Sequence, residues 1–136
     1  ELIQYFGAGS HGSTFGGNPV STAAALAVVE EVFEVSFLQE VAAKGEFLKN
    51  QLIEKLQDQA AVKDVRALGL MVGIDLVDEV KAPAIIAELQ KDELLVLPAG
   101  QNVIRLLPPL NVTEEEITIA VDKITAIIKH QVETAK

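Results

Sequence analysis

The chain has no cysteine, which excludes disulfides and thiolate chemistry. That absence fits a reducing compartment, and the cytoplasm is the expected location. It has only two histidines, His11 and His130, more than a hundred positions apart, so no metal site is expected. Long apolar runs are missing too. None reaches the 18 residues or more that a membrane span requires. Basic residues are scarce: 11 Lys and Arg stand against 20 Asp and Glu, a net charge of −9. A surface of that sign argues against nucleic acid and against an anionic membrane as partner. There is no initiator methionine; the first residue is Glu1 and the single Met is Met71. The opening "ELIQYFGAGS" has no basic segment followed by an apolar one, so it is not a signal peptide. A piece of a longer polypeptide is the expectation.

The chain does hold enough material for a core. It has 136 residues, 49% of them apolar, the size of one ordinary domain. "GSHGSTFGGNP", from Gly9 to Pro19, is followed at once by "VSTAAALAVVEEVF". Asn18 is a good N-cap and Pro19 suits the first helical position, so a helix is predicted from Pro19 to about Val35. Its apolar residues cover nearly all faces of the first half, which predicts burial on several sides. Ser36 and Gln39 read as a capping box for a second helix, whose stripe is Leu38, Val41, Leu48, Leu52 and Leu56.

The texture then changes. "VKDVRALGLMVGIDLV" has β-branched residues, short alternation and glycines at 69 and 73, and predicts strands near Val62–Ala67 and Leu70–Val77. Pro83 begins a short helix. "LLVLPA" and "NVIRLL" predict two more strands about a turn at Pro98–Gly100. Thr113 with Glu116 is a capping box for a last amphipathic helix through Val132. The order helix, helix, strand, strand, helix, strand, strand, helix implies an α+β fold, a small sheet covered by helices on one side.

Chemistry-bearing residues are few. The Gly9–Pro19 stretch puts four glycines and the hydroxyls of Ser10, Ser13 and Thr14 just ahead of a helix start. Backbone N–H groups, hydroxyls and the helix terminus together can bind a phosphate. The spacing matches neither GxxxxGK[ST] nor GxGxxG, so a flexible loop before a capped helix accounts for it equally well. Arg105 stands in an otherwise apolar strand. Its stem can simply cover apolar surface, or its guanidinium can fork onto a carboxylate. Arg66 reads as a surface ion pair worth under about 1 kcal/mol. His11 has a structural role in the loop, His130 is a surface residue, and Glu114–Glu116 is a solvated helix start.

Three stretches carry a resemblance. "GSHGSTFGGNPVSTAAALAVVE" resembles the segment after the cofactor lysine of class III aminotransferases, the enzymes that use pyridoxal 5'-phosphate (PLP). "VRALGLMVGIDL" resembles the strand pair of their C-terminal domain, and "LLVLPAGQNVIRLLPPLNVTEEEI" their closing segment. The likeness covers essentially the whole chain in the right order. Within the class, "HGSTFGGNP" with "LPAGQNVIRLLPPL" looks most like the acetylornithine aminotransferases; the ornithine, succinylornithine and 4-aminobutyrate enzymes are close relatives.

The resemblance implies the C-terminal portion of a fold type I PLP enzyme. Residues 1–18 would close its large domain, 19–35 would form the linking helix and 36–136 the small C-terminal domain. It implies that Thr14 donates to the PLP phosphate in the neighbouring subunit of a homodimer. Ser13 would lie beside the substrate, and Arg105 would meet a substrate carboxylate or an active-site glutamate. The substrates implied are an amino acid, N-acetylornithine or a related ω-amino acid, and a 2-oxo acid, 2-oxoglutarate, in arginine biosynthesis. The lysine that holds PLP and the aspartate on its pyridine nitrogen belong upstream of this stretch in the family. None of the chain's own lysines, from Lys44 to Lys136, has that lysine's context, so no catalytic residue is expected here and the chain alone should be inactive. The competing reading is a non-catalytic acidic interaction module derived from such an enzyme.

Overall fold

A computed structural model of the chain describes residues 2–5, 7, 9, 10 and 12–134. It forms two compact units, Glu1–Leu38 and Gln39–Lys136. In the first, a 3₁₀ turn at Leu2–Tyr5 and the glycine-rich loop precede α1, Pro19–Val32. The helix starts as expected: the Asn18 carboxamide oxygen accepts from the N–H groups of Val20 and Ser21 at 3.0 and 3.1 Å. It ends earlier than expected. The Phe33 N–H bonds Val29 O, and Glu34 N–H then turns back to Glu31 O, which closes the last turn. Among the described residues nothing covers α1. No residue of it is buried, and Val20 is 79% exposed. A loop and one 14-residue helix supply no second layer to cover an apolar face.

Helix α2, Val35–Leu56, crosses the boundary between the units. The Ser36–Gln39 box does not form. Leu38 N–H already bonds Glu34 O, so the helix opens at Val35 and Ser36 lies inside its first turn. Of the expected stripe α2 buries Leu48, Leu52 and Leu56, and Gly45 with them; Val41 is partly buried and Leu38 stays half exposed.

The sheet has four antiparallel strands in the order β1-β2-β4-β3: β1 Val62–Leu68, β2 Met71–Leu76, β3 Leu97–Ala99 and β4 Val103–Leu106. Helix α3, Ala82–Lys91, joins β2 to β3, and α4, Glu114–Thr134, closes the chain. Alternation along the strands puts Val72, Ile74, Leu76, Ile104 and Leu106 on one face. That face packs in one core with Leu52 and Leu56 of α2, Ile85 and Leu89 of α3, and Ile117, Val121, Ile124 and Ile128 of α4. The expected α+β layer is what forms. "LLVLPA" is strand only over Leu97–Ala99, because Leu94 N–H still closes onto Leu89 O and Glu93 takes a φ of 59°. Pro98 is tolerated there because β3 is an edge.

Two local contacts hold the sheet in place. Leu68 opposes Met71, so Gly69 and Leu70 make a two-residue hairpin loop, with Gly69 at φ 55° in its first position. Helix α2 crosses this loop so closely that a Cβ on Gly45 would sit 2.6 Å from the Gly69 carbonyl carbon. At the other end of the sheet, Asn102 donates through Nδ2 to Val77 O (2.8 Å), Val80 O (2.7 Å) and Leu76 O (3.4 Å). Its Oδ1 accepts from Ala82 N–H at 2.9 Å. It thereby caps α3, whose own N-cap residue, Lys81, makes no side-chain cap bond.

The Thr113–Glu116 capping box is present as predicted. Thr113 N–H bonds Glu116 Oε2 at 2.9 Å and Glu116 N–H bonds Thr113 Oγ1 at 3.2 Å. Those bonds, first the backbone N–H and then the hydroxyl of Thr113, hold the Glu116 carboxyl below its usual 4.5.

Replacing Asn102 by Ala strands the Ala82 N–H and up to two carbonyls, since Val77 O also accepts from the Val80 N–H at 3.2 Å. It should cost about 2–3 kcal/mol in urea unfolding, far more than truncating an exposed Asn. For Glu116 the folded value is the depressed one. Its stabilisation is therefore present above about pH 4.5 and lost as pH falls through the folded value. Glu116→Gln should flatten that acid limb and leave the profile above it parallel to wild type; an unchanged acid limb would show the box contributes nothing.

Candidate functional site

The sequence points to two places, one in each unit. The first is the loop before α1. Ser13 and Thr14 are exposed, and neither hydroxyl has a hydrogen-bond partner among the described residues. Gly17 has a φ of 76°, and a Cβ on Gly16 would press to 3.2 Å from the Ser13 Cβ, so both glycines are needed for the loop's path. His11 lies outside the described residues. The helix terminus differs from expectation in one respect. Asn18 consumes the Val20 and Ser21 N–H groups, so α1 is capped by its own chain. What the loop leaves unpaired among the described residues is the hydroxyls of Ser13 and Thr14 and the backbone N–H groups of residues 12–17, all donors suited to a phosphate oxygen. The loop residues therefore fit a phosphate-bearing group through these donors rather than through the helix terminus.

The second place is the sheet face opposite the core. The register sets one row across three strands: Arg66 on β1 pairs with Gly73 on β2, and Gly73 pairs with Arg105 on β4. The next row runs Asp64, Asp75, Val103. Gly73 has no side chain, so it leaves a gap between the two arginines. They line a cleft of about 250 Å³ with Leu68, Met71 and Val103. A Cβ on Gly73 would meet Val103 at 3.3 Å and begin to fill its floor.

The two arginines are in unlike states. Arg66 donates to Asp75 Oδ2 at 3.4 Å and lies 4.0 Å from Asp64 Oδ2. Arg105 is half buried; its Nε is fully buried and has no partner. A buried N–H of a charged group without an acceptor is costly. The sequence singled out Arg105 but passed over Gly73 and Asp75. An isolated glycine inside a strand pattern was the available signal, since it marks close approach.

The family description aminotransferase class-III matches residues 1–128. The chain belongs to the class-III aminotransferases. It is 53% identical over 130 residues to the acetylornithine aminotransferase of Bacillus subtilis, covering 96% of this chain and 33% of that protein. With the acetylornithine aminotransferase of Lactococcus lactis it shares 50% over 117 residues, 86% of this chain and 31% of that one. Among solved structures, the ornithine aminotransferase of Toxoplasma gondii, described with partial occupancy of PLP, superposes with a TM-score of 0.80. The identity there is 25%, over 98% of this chain and 32% of that one. The chain thus spans about a third of the length of the relatives it matches. PLP is the family's cofactor. The described residues form no acidic or histidine cluster able to hold a metal, and no helix among them is long and apolar enough to cross a membrane.

Proposed function

We propose that this chain is the C-terminal portion of a cytoplasmic, homodimeric acetylornithine-type aminotransferase, which moves an amino group from an ω-amino acid such as N-acetylornithine to 2-oxoglutarate in arginine biosynthesis. Residues 1–18 end the large domain, 19–35 link, and 36–136 form the small domain. The division of the chain into units at Leu38 and Gln39 lies close to the second of those boundaries and is silent on the first. The observation that carries the reading is Arg105: a partly buried arginine that lines the cleft and pairs with no acid among the described residues. A carboxylate in that cleft would satisfy the fork through two parallel bonds, which lysine cannot reproduce.

When bound, PLP supplies the electron sink for the reaction. The contribution of this chain is binding and orientation. Thr14 would donate its hydroxyl to the cofactor phosphate in the neighbouring subunit, and Ser13 would line the substrate's path. Arg105 would hold a carboxylate of the amino acid or 2-oxo acid, or an active-site glutamate in its place. The proton-moving lysine is not among these residues, so the 136 residues alone should be inactive. A non-catalytic acidic module would leave the Arg105 cleft without a ligand, and the unpaired guanidinium favours the enzyme.

In the complete aminotransferase, Arg105→Lys should lower kcat/KM by about 10- to 150-fold while the melting temperature moves little. Single-turnover measurement of each half-reaction separates the two uses of Arg105. Loss in both means a shared substrate carboxylate; loss in one means a glutamate exchange; near wild-type rates in both would remove the reading. Thr14→Val should weaken PLP binding by a similar factor, about 10- to 150-fold, with the fold intact, because one bond to a charged phosphate is lost. Unchanged PLP affinity by equilibrium dialysis would make Thr14 an ordinary loop residue.

A further inference from the structure

The open sheet face holds two basic and two acidic side chains in a fixed pattern. Asp75 sits on the central strand β2. Its direct neighbours are Asp64 on one side and Val103 on the other. Arg66 and Arg105 each lie two residues along from those neighbours, so Asp75 is the diagonal neighbour of both arginines. Long side chains reach across such diagonals. Asp75 therefore has two guanidinium groups to choose from. It pairs with Arg66, Nη1 to Oδ2 at 3.4 Å, and the Arg105 Nε stays without an acceptor.

Asp64 directly opposite Asp75 would be repulsive on its own. Arg66, at 4.0 Å from Asp64 and 3.4 Å from Asp75, offsets that repulsion and ties Asp75 toward the β1 side. We infer that Arg66 is a positioning residue: by holding Asp75, it keeps the sheet's own carboxylate off Arg105, so that Arg105 remains free for the carboxylate of a ligand. This rests on the reading of Arg105 as a carboxylate binder. Without Arg66, Asp75 would become an intramolecular competitor that any mono- or dicarboxylate ligand has to displace. The competitor acts on binding alone, since it leaves the bound state unchanged once displaced.

The test uses the complete enzyme and glutarate, a dicarboxylate that cannot react, with its Kd measured by equilibrium dialysis and the KM and kcat for 2-oxoglutarate alongside. Arg66→Gln should raise the glutarate Kd and the KM by about three- to fivefold, the scale of one partly exposed ion pair, with kcat unchanged. Adding Asp75→Asn to Arg66→Gln should restore both constants. Adding Asp64→Asn instead gives the same net charge but leaves Asp75 free, and should not restore them. Equal rescue by both acids would reduce the effect to net charge and overturn the inference, as would no effect of Arg66→Gln. Asp75→Asn alone should leave the Kd within about twofold; a loss as large as that of Arg105→Lys would mean Asp75 serves the ligand directly, and overturns it too. If Arg105→Lys itself leaves the glutarate Kd unchanged, the carboxylate reading of Arg105 fails, and with it this one. A weakening by Arg105→Lys beside an inert Arg66→Gln rejects the positioning role alone.

Discussion

Four backbone groups, from the end of β2, the link after it and the start of α3, converge on the side chain of Asn102. Val77 O also accepts from the Val80 N–H at 3.2 Å, but for the Ala82 N–H and the Val80 carbonyl an amide group left unpaired away from water would cost more than most single contacts return. One carboxamide solves the problem for all of them because it carries an acceptor and two donors in one plane. Asn102 immediately precedes β4, so satisfying it also fixes where β4 begins. The start of β4 decides its register, and in a strand a slip of one residue turns every side chain to the other face. Arg105 lies on the open face, and Ile104 and Leu106 in the core, because that register is held.

Much of this was legible in the sequence, and the reasons differ by element. The four strands, the last helix with its Thr113–Glu116 box, and the Asn18–Pro19 start of α1 follow from short-range chemistry: alternation, capping and the fixed φ of proline. What failed was what depends on neighbours. The Ser36–Gln39 pair has the right residues for a box, but the preceding turn had already handed its carbonyl at Glu34 to Leu38. The apolar run of α1 reads as core, yet nothing within its own unit is large enough to cover it. At the candidate site, Arg105 stood out as a charge in an apolar strand. The ion pair of Arg66 was read correctly and Gly73 was noted in its strand, but that Asp75 is the Arg66 partner and that these residues flank Arg105 was not legible, because only the pairing of β1, β2 and β4 brings residues 66, 73, 75 and 105 onto one face.

That face holds one arginine paired with acids and one that is not. Exposed ion pairs contribute little to stability, and the Arg66 pair is of that kind. On the proposed reading its importance lies in selection among partners. With a net charge of −9 the chain has acids in excess, so an arginine paired with no acid among the described residues is an exception on this face. The absence of a side chain at Gly73 keeps the floor of the cleft between the two arginines low.

The meeting of Gly45 with Gly69 has a mechanical consequence. Most helices rest on a sheet through side chains, which can slide past one another by changing rotamer. Here the contact is backbone against backbone, with no room for even one methyl group. Such a joint has no soft degree of freedom. The hairpin that carries Arg66, Gly73 and Asp75 is thus riveted to α2, and a displacement of the sheet carries that helix with it as one stiff body.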